Sequence, residues 1–287
     1  MNTKQITQGA MVCAIYALLL FLNQQTALFI ETGFPWIFVF PILIFTAKSN
    51  GYAGFICTVA MAFVTVLFGG FTTWFYSWTS LLIGYIYGLG IQKHWAGNIK
   101  LLMTFIFTAI SYILIFLFWS KMFEFDFTAD FEIIHQILPF LNLPAFLAIV
   151  VLFMSILQTL CIHLVAILIC NRMKIETAPV KMVYQIQAPK WVGIVSIVIF
   201  AVFFLTQNVI KCSKGIQDIF LVIMFADMLL LDYYGTVFLL NRIRKNKKRQ
   251  IQSFWICMGA FITFVQILWV ILGELDCLFD LRKKEKK

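Results

Sequence analysis

Long runs of apolar residues, separated by short polar loops, dominate the pattern of this 287-residue chain. The candidate membrane spans lie at residues 6–22, 34–47, 52–70, 74–91, 100–120, 144–171, 191–210, 217–241 and 253–273. Most of them reach the roughly 20 residues that a helix needs to cross the hydrocarbon core. The second is short and predicts a tilted span or a re-entrant piece. Because the apolar residues run continuously and do not alternate with a period of two, the spans are predicted to be helices.

The composition identifies the bilayer as the solvent of this chain. Hydrophobic residues make up 62% and charged residues 12%, and the mean hydropathy is +0.93. A soluble domain carries about twice that share of charge. The predicted fold class is therefore an all-α integral membrane protein, a polytopic bundle of 8–9 transmembrane helices.

The distribution of Lys and Arg predicts the orientation. These residues lie mostly in short loops, and the positive-inside rule then places the N-terminus in the cytoplasm. The loop 121–142 falls outside, where it carries four acids against one lysine. The net charge of +9 is thus an orientation signal, and no basic domain is present that would bind nucleic acid. Nine spans would place the basic tail 282–287 outside, against the rule, so eight and nine spans both stay open.

The loops divide the chain into three predicted parts. Residues 1–172 form a six-span unit, 173–190 a cytoplasmic linker, and 191–287 a C-terminal helical unit with a basic tail. The first apolar run lacks a convincing cleavage signature, so it is predicted to stay as an uncleaved helix. The expected location is the cell membrane.

The first helix carries a stripe of small residues. Ala10 and Ala14 are four residues apart and share a face, and Ala17 lies one turn further on. In lipid, helices associate through close backbone approach at small residues, since the surrounding acyl chains remove the hydrophobic driving force. The stripe either packs against another span of this chain or docks a second membrane protein.

Polar residues inside the spans are the next candidates. Gln158 and His163 lie in the sixth span, and Asp227 and Asp232 in the eighth. An ionisable group within the bilayer is costly unless it is paired or hydrated, and it is a functional hypothesis by default. Asp227 and Asp232 are either structural groups or a proton or cation relay. Gln158 and His163 are predicted to form interhelical hydrogen bonds, with ligand binding or a relay as the alternative.

Two loops add weaker signals. The external stretch 121–141 alternates Phe with acids and is predicted to lie at the membrane interface, or to cover an outward-facing pocket together with the loop 23–34. Its acids would suit a cationic ligand. The basic cluster 241–249 is predicted to contact anionic lipid headgroups.

Three segments of the N-terminal half resemble the substrate-binding S components of energy-coupling factor transporters. They are TQGAMVCAIYALL (7–19), PWIFVFPILIFTAKSNGYAGFICT (35–58) and LLIGYIYGLGIQK (81–93). In that family an A-x-x-x-A face on the first helix docks the S component on its transmembrane partner, and Ala10 and Ala14 match it. The resemblance implies solute binding and a separate ATPase.

The whole chain also resembles an uncharacterised family of predicted multi-pass membrane proteins from Gram-positive bacteria. Its ending, LGELDCLFDLRKK (272–284), matches a G-x-x-D-x-x-x-D-x-R pattern at Gly273, Asp276, Asp280 and Arg282. Where that family commonly carries Gln-Gly in its penultimate span, this chain has Tyr234 and keeps Gly235. This helix end is predicted to be locally salt-linked, or to contact a partner or the N-terminal unit.

No catalytic motif is present in the sequence. It lacks G-x-S-x-G, HExxH, a Gly-rich phosphate loop and a Walker A motif, and its seven cysteines include no CxxC. We therefore expect no enzyme activity, metal or cofactor. The expected function is binding of a small solute or lipid, or docking to a membrane partner, in the manner of a transporter substrate-binding subunit. The alternatives are a structural scaffold and a proton- or cation-coupled carrier using Asp227 and Asp232.

Overall fold

The computed structural model describes residues 2–122, 131–132, 135–136, 141–177, 186, 188–208, 213–243, 249–260 and 262–281, and this part of the chain is helical without a strand. The helices are α1 (Thr3–Gln25), α2 (Phe29–Gly33), a 3-10 turn (Pro35–Phe38), α3 (Val39–Lys48), α4 (Gly51–Gln92), α5 (Gly97–Met122), α6 (Leu143–Arg172), α7 (Lys190–Asn208), α8 (Lys214–Arg242), α9 (Arg249–Gly259) and α10 (Thr263–Phe279).

Five of the described helices are long and apolar enough to cross a membrane. They are Thr3–Gln25, Gly51–Phe71, Gly97–Phe118, Leu143–Arg172 and Lys190–Gln207. A sixth results if the pair Gln250–Gly259 and Phe264–Phe279, bent by 101°, counts as one span. These apolar helices support the prediction of a helical membrane protein, whereas the predicted count of eight or nine spans is not confirmed. Of the predicted spans, 34–47 corresponds to a shorter apolar helix at Pro35–Lys48, and 74–91 and 217–241 are not among the candidate spans.

The chain divides into two compact units. The first comprises Met1–Phe127 and Val151–Val180, and the second comprises Thr128–Val150 and Lys181–Lys287.

In the first unit, α4 is a helical hairpin that turns at Gly70. This residue has φ 72° and ψ −176°, a conformation that is essentially restricted to glycine. The rings of Phe55 and Tyr85, fifteen residues to either side, meet at a centroid distance of 6.1 Å. Gln24 at the end of α1 donates a hydrogen bond to the Gly69 carbonyl beside the turn. The predicted spans 52–70 and 74–91 are therefore the two arms of one hairpin.

The short helix α3 forms the centre of the first unit. One apolar cluster joins it to α1 and both arms of α4, and a second joins it to the second arm of α4 and to α6. Its buried residues include Val39, Ile42, Leu43 and Phe45. The segment predicted as a short span or a re-entrant piece is thus a packing element that the other helices surround.

Two glycines allow α3 to pack closely against the second arm of α4. A Cβ atom at Gly84 would lie 2.5 Å from the Val39 carbonyl oxygen, and one at Gly88 would lie 2.7 Å from that of Leu43. Both contacts are shorter than any real Cβ tolerates, so this G-x-x-x-G face is required for the backbone approach.

In the second unit, α7, α8 and α10 pack around Val192, Leu231, Val270 and Cys277. The closest approach joins α8 and α10, where a Cβ atom at Gly235 would overlap the backbone of Trp269. A Cβ atom at Gly273 would likewise overlap the backbone of Leu231. The two helices therefore cross directly at a glycine pair.

Candidate functional site

A cavity of about 550 Å³ lies within the first unit. The segment from Glu31 to Trp36, between α1 and α3, lines one side of it, and the second arm of α4, α5 and α6 line the rest. Its volume falls within the range of small-molecule sites, roughly 300–1,000 Å³. Six polar side chains of this unit are among its lining residues.

The lining combines aromatic and polar side chains. The aromatic residues are Phe34, Trp36, Tyr76 and Tyr112. The polar residues are Glu31, Thr32, Thr79, Ser80, Ser111 and Gln158. Such a mixture of apolar walls with a few placed polar groups is typical of sites that bind small organic molecules.

The segment that lines one side of the cavity turns sharply after α1. Ala27 and Leu28 both adopt positive φ angles, 52° and 64°, which non-glycine residues rarely do. The Leu28 amide donates to the Asn23 carbonyl at 2.9 Å and stabilises the turn. Strained backbone of this kind persists where the surrounding contacts determine it, and it is common at ligand clamps.

Rings along this segment contact one another in series. The centroids of Phe29 and Phe34 are 5.8 Å apart, those of Phe34 and Trp36 are 6.0 Å apart, and those of Trp36 and Phe40 are 5.9 Å apart. Each pair meets edge to face, which is a favoured aromatic geometry. The series holds Phe34 and Trp36 in place at the cavity wall.

Glu31 is the acid of the site, and it is 5% exposed. The Asn23 side-chain amide donates to its Oε2 at 3.0 Å, and the Asn23 Oδ1 accepts from its backbone N–H at 2.9 Å. Burial raises the pKa of Glu31, while the neighbouring Thr73 and the hydrogen bond from Asn23 act in the opposite direction. No described residue forms an ion pair with this carboxylate.

Gln158 of α6 also lines the cavity. The Tyr112 hydroxyl donates to its Oε1 at 2.6 Å, which joins α5 to α6. Gln158 is therefore both an interhelical hydrogen-bonding group and a lining residue.

His163 lies away from the cavity lining, in the core between α4 and α6. Its Nδ1 is 2.7 Å from the Tyr87 hydroxyl oxygen, and the Lys100 ammonium lies 5.8 Å from the centre of the Tyr87 ring. The histidine therefore makes the interhelical hydrogen bond that its position in the sixth span allows. Gln158 and His163 therefore have different partners. Gln158 is bonded to Tyr112, and His163 is bonded to Tyr87.

Ala10 and Ala14 are both exposed on α1. The buried side of this helix carries Gly9, Tyr16 and Leu20, and the Tyr16 hydroxyl forms a 2.9 Å hydrogen bond with Thr65 of α4. The face with which α1 packs into its unit is thus a different one from the small-residue stripe.

In the second unit, Asp227 accepts a 2.6 Å hydrogen bond from the Ser196 hydroxyl of α7. The Oδ1 atom of Asp232 is buried without a hydrogen-bond partner among the described residues. Asp227 and Asp232 are not joined by any hydrogen bond in this part of the chain, and the relay stays a prediction.

The residues at the end of α10 have separate structural roles. Gly273 allows the crossing with α8, and Asp276 is 1% exposed. Asp280 follows the helix in a left-handed conformation, with φ 48°, and its N–H donates to the Asp276 carbonyl. Arg282 and the tail lie outside the described residues, as do most of the basic cluster 241–249 and three of the four acids of the loop 121–142.

Within the described ranges, no group of three or more His, Cys, Asp or Glu side chains could hold a metal ion. Comparisons with protein-family models, with curated proteins and with solved structures find no match to this chain. Both family resemblances therefore stay predictions from the quoted motifs.

Proposed function

We propose that this chain is a membrane protein that binds a small solute in the cavity of its first unit, in the manner of a transporter substrate-binding subunit. It would perform no chemistry of its own. The observation that carries the proposal is the cavity of about 550 Å³ with aromatic walls, a buried carboxyl group and a buried amide. Sites of this size and lining bury most of the surface of a small organic ligand.

The polar lining favours a solute over a lipid tail. Burying a carboxyl group, an amide and several hydroxyl groups is costly unless each finds a hydrogen-bond partner. A hydrocarbon chain would supply none, whereas a solute with polar groups would pair with Glu31, Gln158 and the neighbouring hydroxyls. The proposal therefore concerns a polar or amphipathic small molecule.

Topology forms part of the proposal. A six-span first unit would count α1, the segment from Pro35 to Lys48, the two arms of α4, α5 and α6. The Lys and Arg distribution supports a cytoplasmic N-terminus in the cell membrane, with eight or nine spans in the whole chain.

Docking to a membrane partner is a second candidate function. It is favoured by the exposure of Ala10 and Ala14 on α1, since small residues on a lipid-facing surface permit close approach of another helix. This function is compatible with solute binding, because a substrate-binding subunit without an ATPase site would need a partner for active uptake.

The proposed solute binding is tested by mass spectrometry of the small molecules that co-purify with the protein in nanodiscs. Three proteins are compared: the wild type, Ser111→Phe, which fills the cavity, and Ile110→Phe, an exposed neighbour on the same helix. We expect one or more small molecules with the wild type and Ile110→Phe, and their loss from Ser111→Phe. Equal elution of the three on size exclusion shows that each is folded, and an identical small-molecule profile for all three would refute the proposal.

A further inference from the structure

The charge of the cavity points to the class of its ligand. Among the described residues that line it, Glu31 is the only charged one. It is 5% exposed and has no described cationic partner. A carboxylate that is buried without a counter-ion is unfavourable, so an ionised Glu31 requires a positive charge from elsewhere.

The contacts of Glu31 within the protein do not explain why the residue is an acid. Asn23 donates to one carboxyl oxygen and accepts from the backbone N–H. This partner is neutral, and a glutamine at position 31 would keep an acceptor for it. The contact with Asn23 therefore fixes the side chain of a residue that lines the cavity and leaves its charge unmatched by any described cation.

The remaining walls suit a flat ring. Phe34, Trp36, Tyr76 and Tyr112 present aromatic surface, and the rings of Phe34 and Trp36 are set at 90° to each other with centroids 6.0 Å apart. Aromatic faces attract cations as well as planar apolar groups. A carboxylate beside such walls is the arrangement that recognises a positively charged ring system.

We propose that the cavity binds a compact planar cation, whose N–H groups pair with Glu31 and whose ring lies among the aromatic side chains. This inference rests on the proposed function and names the class of its solute. Gln158 lies at the same cavity and would contact a polar substituent of that ligand.

Three probes with the same ring and different charge test the inference: benzamidinium, benzamide and benzoate. Their binding is measured by saturation-transfer NMR with protein in nanodiscs of zwitterionic lipid, which do not attract either ion. The proteins are the wild type, Glu31→Gln, Ser111→Phe and the control Glu176→Gln, which removes an exposed acid outside the cavity. For the wild type and Glu176→Gln, we expect benzamidinium to bind at least about tenfold more tightly than benzamide, because hydrogen bonds to charged groups are the strong ones.

In Glu31→Gln, the preference for benzamidinium should disappear while benzamide binding stays unchanged. Wild-type protein that binds benzamidinium and benzamide equally, or that binds no benzamidinium, would overturn the inference. This comparison does not depend on the folding of a variant. If the three probes bind alike and Ser111→Phe abolishes them all, the cavity binds solutes without charge selection. If Ser111→Phe binds them as the wild type does, the proposed function fails too.

Discussion

At the scale of single residues, the pair of Asn23 and Glu31 places an acid where water is largely excluded. Burial raises the pKa of Glu31 above its value in the unfolded chain, so folding favours the protonated carboxyl group. The contribution of this group to stability is fully present below the unfolded pKa, near 4.3, and is lost as the pH rises through the raised pKa. The ligand-free protein should therefore lose stability across this range as the pH increases.

We predict that Glu31→Gln stabilises the ligand-free protein at pH 7 by about 1 kcal/mol, because a neutral amide replaces a buried charge. Its melting temperature should also vary less with pH than that of the wild type. The measurement is thermal unfolding in detergent between pH 4 and pH 8, with the exposed Glu176→Gln as the control. A variant that is less stable than the wild type at pH 7 would assign the carboxylate a purely structural role.

At the scale of helices, glycine positions decide how closely the elements approach. Gly235 and Gly273 bring the backbones of α8 and α10 together, whereas nothing lies within 4 Å of a Cβ atom built at Gly215 of the same helix α8. Gly215 and Gly235 of α8 thus differ in what an added side chain would meet.

We predict that Gly235→Ala destabilises the second unit by at least about 2 kcal/mol, since a methyl group would overlap backbone atoms that cannot rotate away. Gly215→Ala should be neutral or slightly stabilising, because alanine favours a helix. Proteolysis and thermal melting of the two purified variants provide the comparison. If the two variants melt and are cleaved alike, the α8–α10 crossing tolerates a methyl group and the prediction is wrong.

At the scale of the whole molecule, the exposed small residues Ala10 and Ala14 on α1 favour assembly with a membrane partner. We predict that Ala10→Leu together with Ala14→Leu reduces co-purification of a membrane partner at least about tenfold, since bulky side chains block close helix approach. Ala201→Leu on α7, also an exposed alanine, is the matched control. Partners are quantified by mass spectrometry after mild solubilisation. If the double variant retains every partner of the wild type, the stripe is not a docking face.

The local hydropathy pattern predicts most of the helices of the first unit. The run 52–70 is apolar enough to span a bilayer, and backbone groups in lipid must be satisfied within a helix. The hydropathy pattern does not predict that the next run, 74–91, folds back against 52–70 as the second arm of the α4 hairpin. That depends on the positive φ of Gly70, which has no signature in hydropathy.

The candidate site was only partly predictable for the same reason. Gln158 stood out because a polar residue in an apolar span is unusual. Glu31 did not, since a single acid in a loop is ordinary; the one signal was that the loop 23–34, which carries it, was predicted as a possible cover of a pocket. Its side chain is held by Asn23, eight residues earlier, through a contact that forms only when α1 and α2 pack together.

By itself the sequence determined that this chain is helical and that several of its helices are apolar enough to cross a bilayer, because hydropathy and backbone hydrogen bonding are local properties that each segment carries alone. Only the tertiary structure decided that α3 packs against α1, α4 and α6, that Ala10 and Ala14 are exposed while Gly9 and Tyr16 are buried, and that Glu31 is among the residues that line a cavity. These outcomes depend on which distant helix covers which face. In lipid, where every apolar face is equally soluble, that choice is made by shape and polar contacts between segments.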